Sequence, residues 1–187
     1  DLAAIPDLKG VRKDGNRLVI GAMTRHADVA SSDVVRSALP ALAKLAEGIG
    51  DRQVRNMGTL GGSLANNDPA ADWPAAVLAC GATVRTNARA IAADDFFKGM
   101  FETALAPDEI ITAVEFPTPA RAAYAKFPNP ASRFALVGVF VAQAGNDDVR
   151  VAVTGAASSV FRATAIEAAL RKSFTPDAAK GVRVDAT

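Results

Sequence analysis

"VRNMGTLGGSLANNDPAADWP", residues 54–74, is the stretch on which the reading of this chain turns. Two adjacent glycines, Gly61 and Gly62, lie between the hydroxyl residues Thr59 and Ser63, and two asparagines, an Asp-Pro pair and Asp72 follow. Glycine lets a backbone approach another group closely and reaches positive φ at little cost. Successive N–H groups in such a segment can form an anion-binding concavity. "TLGGS" (59–63) is therefore a candidate pyrophosphate cradle, with Thr59, Ser63, Asn66 and Asn67 as side-chain donors. Asp68 and Asp72 would repel phosphate, so phosphate belongs at Thr59–Ser63, and Asp72 suits ring N–H or sugar hydroxyl donors. The same residues fit a Gly-Gly turn before an Asp-capped helix equally well. A P-loop would need Gly-Lys-Ser/Thr after the glycines, and a Rossmann turn would need G-x-G-x-x-G; neither is present.

Composition narrows the field. Half of the 187 residues are hydrophobic, enough for one domain or two small ones. The net charge of +1 and the lack of a basic run argue against nucleic acid as a partner. No apolar run approaches the roughly 20 residues that span a bilayer. "DLAAIPDLKG" lacks the pattern of a signal peptide. The chain does not open with Met, which fits a fragment or a processed protein. Its one cysteine, Cys80, cannot hold an iron–sulfur cluster or a structural zinc. Its one histidine, His26, has no hydrolase motif around it. Redox chemistry here would need a bound organic cofactor.

Local patterns predict the elements. Residues 8–23 read as a hairpin turning at Asp14-Gly15, and residues 24–38 hold a short helix. Pro40 begins a helix that buries Leu42, Leu45, Ala46 and Ile49 and ends at Gly48 and Gly50. Residues 51–67 read as loop. Asp68 caps the next helix, with Pro69 at its first position, a possible break at Pro74 and an end at Gly81. "ATVRTN" (82–87) reads as a strand and "DDFFKGM" (94–100) as a short helix. "DEIITAVEFP" (108–117) is a strand with Ile110, Thr112, Val114 and Phe116 on one side. The linker is "PTPARAA" (117–123). Beyond it, "SRFALVGVFVAQ" and "VRVAVTGAA" are paired strands joined by a turn at 144–148, and "RATAIEAALRK" is a helix. The fold class is α+β with an antiparallel sheet.

The residues of 54–84 closely resemble the FAD-binding subunits of the molybdenum hydroxylases, which include the carbon monoxide dehydrogenase medium subunit and the flavin domain of xanthine dehydrogenase. "GAMTRHADV" (21–29), "DEIITAVEFP" (108–117) and "AYAKFPNPASRFALVGVFVAQ" (123–143) look like the same family in the same order. The resemblance implies a PCMH-type FAD-binding fold over 1–118, followed by a small α+β C-terminal domain over 119–187. It places Thr59, Leu60, Gly61, Gly62 and Ser63 at the FAD pyrophosphate. Asp72 is placed at the flavin end, Ile110 or Ile111 against the cofactor, and Lys126 in the site with Tyr124 beside the ring. Family members carry an earlier glycine-rich loop resembling "AGGQS", which is absent from these residues. The resemblance thus implies a fold without its N-terminal lobe, holding half of the FAD cradle, with FAD expected in the intact protein.

The same resemblance implies a cytoplasmic electron-transfer subunit. Its partners would be a large molybdenum-pterin subunit and a small subunit with [2Fe-2S] clusters, in a heterotrimer or a dimer of heterotrimers. No side chain need act as nucleophile. A self-contained FAD oxidoreductase and a non-catalytic assembly module are the competing readings. The remaining singular residues read as structural or surface residues: His26 in either place, Cys80 in the core, Trp73 beneath the loop, Phe96, Phe97 and Phe101 in the core, and Arg52 and Arg55 at the surface or bracing the loop by salt bridges.

Overall fold

Gly15 takes φ +57° and lets the first hairpin turn. In the computed structural model, which describes residues 2–145 and 147–185, β1 (Val11–Asp14) pairs antiparallel with β2 (Arg17–Gly21). Asp14 stands opposite Arg17, so Gly15 and Asn16 form the turn, one residue later than the sequence predicts. Three short helices follow, α1 (His26–Ser31), α2 (Asp33–Ala38) and α3 (Pro40–Glu47). Pro40 opens α3 as predicted, and Leu42, Leu45 and Ala46 are buried.

Residues 51–67 are not a loop. They form α4 (Arg52–Met57) and α5 (Leu60–Asn66). Each helix carries its own cap. The Asp51 carboxylate accepts from the Val54 N–H at 2.8 Å, and the Thr59 hydroxyl accepts from the Gly62 N–H at 3.2 Å. Asn67 then stops α5 in the left-handed region, at φ 44°.

Asp68-Pro69 does not start the next helix. Tertiary hydrogen bonds hold the backbone of 69–71 elsewhere: Gly155 N–H donates to Pro69 at 2.8 Å, and Ala135 N–H donates to Ala70 at 3.3 Å. The Thr154 hydroxyl lies 2.8 Å from the Pro69 carbonyl and 2.7 Å from that of Ala71. The Asp68 carboxylate accepts from Ala70 N–H at 2.8 Å, which closes a local turn. Helix α6 (Trp73–Ala79) begins four residues after Pro69, and Pro74 sits in its first turn, where a missing N–H costs nothing. Pro74 therefore marks a start and not a break.

After α6 come β3 (Thr83–Thr86), β4 (Ala90–Ala92), α7 (Ala93–Phe96), the hairpin of β5 (Phe97–Gly99) and β6 (Glu102–Thr103), and β7 (Ile111–Pro117). An antiparallel five-stranded sheet has the order β1-β2-β7-β3-β4. The register between β3 and β7 shifts at Arg85/Thr86. Beyond the shift Ile111 is buried, whereas Ile110 precedes the strand and is half-buried. Phe96 is fully buried, Phe97 partly so, and Phe101 is 58% exposed with φ 56° at the tip of the β5–β6 hairpin. Phe101 is thus not a core residue, because the turn that it occupies projects outward.

Strand β8 (Arg121–Pro128) starts inside the predicted linker. It joins β9 (Ala135–Gln143), β10 (Val149–Thr154) and β11 (Phe161–Arg162) in a second antiparallel sheet of order β11-β10-β9-β8. The turn predicted at 144–148 includes residue 146, which lies outside the described residues. Helix α6 is apolar all round and buried all round, packed on β9 and β10. The opposite face of that sheet, with Val149, Val151 and Val153, packs on α8 (Thr164–Lys172). The architecture is α+β, as predicted.

One buried carboxylate organises the second sheet. Glu167 is 1% exposed and accepts from the Val151 N–H at 2.9 Å, from Arg162 at 2.8 and 2.7 Å, and from Arg171 at 3.2 Å. Arg162 and Arg150 both reach Asp94 on α7, which ties this sheet to the rest of the chain. Removing one partner of a buried ion pair strands the other. Glu167→Ala should therefore lower stability by about 3 kcal/mol or more in urea unfolding of the full-length chain. A loss under about 1 kcal/mol, the scale of an exposed pair, would contradict this role.

Candidate functional site

The wall of the site is made where α5 meets the segment after β2. His26 N–H donates to the Gly58 carbonyl at 3.0 Å, Leu60 N–H to Thr24 at 3.1 Å, and Gly61 N–H to Ala22 at 2.8 Å. These bonds draw 58–61 tightly against 22–26. Gly61 is required by that approach, since a Cβ there would stand 2.6 Å from the Ala22 Cβ. Leu60 is fully buried beneath it. The Gly62 N–H is spent on Thr59 Oγ1, and Ser63 N–H donates to the Thr59 carbonyl at 3.1 Å.

The predicted row of outward N–H groups therefore does not form. Tight packing on Ala22 turns Leu60 and Gly61 inward, and helix formation uses the next two. Thr59, Gly62 and Ser63 face a cleft of about 400 Å³ together with Asp72. At Gly62 an added Cβ would meet only the rotatable Thr59 hydroxyl, at 2.9 Å. The opposite lip is the β8–β9 turn, where Arg133 and Phe134 face the cleft. The Asn129 side chain shapes that turn by accepting from the Ala131 and Ser132 N–H groups at 2.9 and 3.1 Å, and Arg133 takes φ 61°. An apolar cleft with a few fixed polar groups is the usual form of a small-molecule site.

Asp72, at the start of α6, joins that helix to the second sheet at this cleft. Its carboxylate is 4% exposed and accepts from the Tyr124 hydroxyl at 2.5 Å, while Lys126 Nζ lies 2.9 and 3.0 Å from its two oxygens. Lys126 also donates to the Gly48 carbonyl at 3.1 Å. Burial pushes the Asp72 pKa up, against the opposing pull of Tyr124 and Lys126. Burial and the adjacent Asp72 carboxylate push the Tyr124 hydroxyl strongly up, so it remains a donor. Lys126 and Arg133 border an adjoining cleft of about 430 Å³.

His26 and Trp73 meet at the floor. The Trp73 indole N–H donates to His26 Nδ1 at 3.0 Å, and both side chains are buried. Burial lowers the His26 pKa to about 4. Gly58 lies against the ring, where a Cβ would stand 2.6 Å from Nε2.

Of the predicted site residues, Thr59, Gly62, Ser63 and Asp72 line one cleft, with Tyr124 and Lys126 attached behind Asp72. Leu60 and Gly61 support the wall from below. Ile110 and Ile111 are not among the cleft's lining residues. Ile110 is fixed from outside, its N–H donating to Asn87 Oδ1 at 2.8 Å. The preceding Glu109 accepts from Arg89 at 3.0 Å, and this bond leads the causes that hold its carboxyl at about 2. Sequence reasoning missed Arg133 and Phe134 and read His26 as structural. "NPASR" (129–133) carries the turn signal that places the first two; nothing local marks His26. Among the described residues, no group of His, Cys, Asp and Glu is placed to hold a metal ion, and no helix is long and apolar enough to cross a membrane.

Comparison with known proteins identifies the family and the fold. Residues 1–119 match the family described as the FAD binding domain in molybdopterin dehydrogenase. The chain is 37% identical over 177 residues to the glyceraldehyde dehydrogenase medium chain of Sulfolobus acidocaldarius, covering 89% of this chain and 63% of the relative. It is 36% identical to the carbon monoxide dehydrogenase medium chain of Hydrogenophaga pseudoflava, covering 95% and 66%. The chain thus spans about two thirds of these relatives' length. Among solved structures, a Hydrogenophaga pseudoflava carbon monoxide dehydrogenase lacking the Mo-pyranopterin moiety superposes with TM-score 0.84 at 39% identity, over 93% of this chain and 65% of that one. Quinoline 2-oxidoreductase of Pseudomonas putida gives 0.81 at 27% identity, over 100% and 72%.

The buried imidazole predicts a pH dependence. Between about 6.5 and about 4 the unfolded chain binds a proton at His26 that the folded chain refuses. Stability then falls as pH drops through that window, and the loss levels off below it at about 3 kcal/mol. Urea midpoints of the full-length chain from pH 7 to pH 4 should fall more steeply than those of His26→Gln. Equal slopes would contradict a neutral, buried His26.

Proposed function

The chain belongs to the family of FAD binding domains of the molybdopterin dehydrogenases, and from that premise we propose that it is the flavin-carrying electron-transfer part of a molybdenum hydroxylase. Electrons would come from [2Fe-2S] clusters on a small partner subunit, fed by a molybdenum-pterin centre on a large one, and would leave to an external acceptor. The assembly would be a heterotrimer or a dimer of heterotrimers, and cytoplasmic on the family relationship. Residues 1–118 would form the FAD-binding unit and residues 119–187 the C-terminal domain.

One observation carries the reading. The hydroxyls of Thr59 and Ser63, the open face of Gly62 and the braced carboxylate of Asp72 meet on one cleft with residues far from them in the sequence, His26 on one side and Arg133 and Phe134 on the other. This donor set fits a dinucleotide cofactor: a cradle that a side chain at Gly62 would enter, two hydroxyls, and an apolar lining. FAD, when bound, supplies the redox chemistry; the chain's own side chains bind and orient. Thr59 and Ser63 would hold pyrophosphate oxygens, with Gly62 leaving the backbone open and Leu60 and Gly61 fixing the wall. Asp72, held by Lys126 and Tyr124, would present its remaining acceptor capacity to the flavin end. Ile110 and Ile111, outside the lining of this cleft, would bear on the cofactor only where it extends beyond the cleft toward the start of β7. The Met57 and Phe134 side chains would shield it from water.

The full-length chain, purified or reconstituted, should show the visible flavin spectrum and release FAD on denaturation. Gly62→Val should keep the fold and raise the FAD Kd by about tenfold or more, because the added side chain occupies the open face. Full-length protein that binds no FAD would contradict the flavoprotein reading. Unchanged affinity in Gly62→Val would contradict the placement of the pyrophosphate.

A further inference from the structure

His26 is 4% exposed, yet it lines the cleft. Its Nδ1 edge faces the buried indole of Trp73. The edge left for the cleft is the opposite one, which carries Nε2 beside Gly58. The indole nitrogen is a donor only. A proton on Nδ1 would set N–H against N–H and leave the Trp73 donor unpaired in the core. Trp73 therefore fixes the imidazole as the tautomer with its proton on Nε2. That Nε2–H has no hydrogen-bond partner among the described residues, and it is not among the sealed, unpartnered buried atoms, which are represented by Asn67 Oδ1 alone. The ring is held on two sides. Its backbone N–H is tied to the Gly58 carbonyl at 3.0 Å, and its ring packs against Trp73 with centroids 5.9 Å apart. A side chain at residue 58 would cover Nε2, and glycine leaves it open.

We infer that His26 is a cofactor-positioning residue: its Trp73-fixed Nε2–H donates a hydrogen bond to an oxygen of the dinucleotide held in the cleft. This rests on the proposed FAD site. The donor adds no positive charge and lies in the same lining as the Thr59 and Ser63 hydroxyls. The three together present fixed, neutral donors to one oxygen-rich ligand. Trp73 acts one step behind, as the residue that keeps the proton on the correct nitrogen. A fixed donor costs no tautomer or rotamer search on binding, and a site that leaves it unpaired loses the bond outright.

The test is nitrogen and proton NMR of the full-length chain labelled with 15N-histidine, titrated with FAD. The His26 signals are assigned by their loss in His26→Leu. Before FAD, Nδ1 should carry the shift of an unprotonated acceptor and Nε2 that of an N–H. With FAD, the Nε2–H proton should move downfield and exchange more slowly with water, while Nδ1 stays unprotonated. His26→Leu should raise the FAD Kd about tenfold, the scale of one lost hydrogen bond at a buried donor. Trp73→Phe should let a second tautomer appear. A purely structural histidine would leave the Nε2–H signal unmoved at FAD saturation, and that result overturns the inference, as does a protonated Nδ1 in the wild-type protein. Failure of the wild-type chain to bind FAD overturns the flavoprotein reading itself, and the inference with it.

Discussion

A carboxylate taken out of water must be paired or neutralised, and Asp72 is where this chain meets that demand. Its side chain is buried at the start of α6, while both of its donors, Tyr124 and Lys126, come from β8 in the second sheet. Satisfying one carboxylate therefore fixes that sheet against the helix and sets the cleft between them. Gly138 on β9 is part of the same requirement, because a Cβ there would crowd the Tyr124 hydroxyl and stand 2.9 Å from the Thr154 Cγ2. Lys126 extends the tie to the end of α3 through the Gly48 carbonyl.

The remaining joints reinforce this one. The backbone of 69–71 is hydrogen-bonded to Thr154, Gly155 and Ala135, so the short segment leading into Asp72 is held along its length. Helix α6 presents Trp73 and a run of small apolar residues to its neighbours on every side. Asp94 receives Arg150 and Arg162 at the far side of the same contact. The cleft is thus built with Thr59–Ser63 on one wall, the β8–β9 turn on the other and His26, backed by Trp73, at the floor.

Where local chemistry and tertiary demands agree, the sequence was legible. The Gly15 hairpin, the Pro40 helix start and the β9–β10 pair follow from turn residues and alternation alone. Where they compete, local signals misled. Glycines and asparagines make 51–67 look like loop, yet Asp51 and Thr59 cap two short helices there. Asp68-Pro69 carries every mark of a helix start, but the carbonyls of Pro69, Ala70 and Ala71 accept from the second sheet, and Pro74 marks the start in its place. Phe101 looks like core and stands at an exposed turn, where nothing local shows which way the hairpin projects. At the candidate site, Thr59, Ser63 and Asp72 were legible from residue type and family likeness. The inward turn of the Leu60 and Gly61 N–H groups was not, because it depends on Ala22. That His26 lines the cleft was not legible either, because it depends on the approach of Gly58 from another element.

The most direct test of the cleft as a flavin site is amide hydrogen exchange of the full-length chain with and without FAD. Exchange should slow on FAD binding at residues 58–63 and in the 129–134 turn, which form the two lips. Bound FAD that slows exchange elsewhere and leaves both lips unchanged would contradict the cleft as the cofactor's seat.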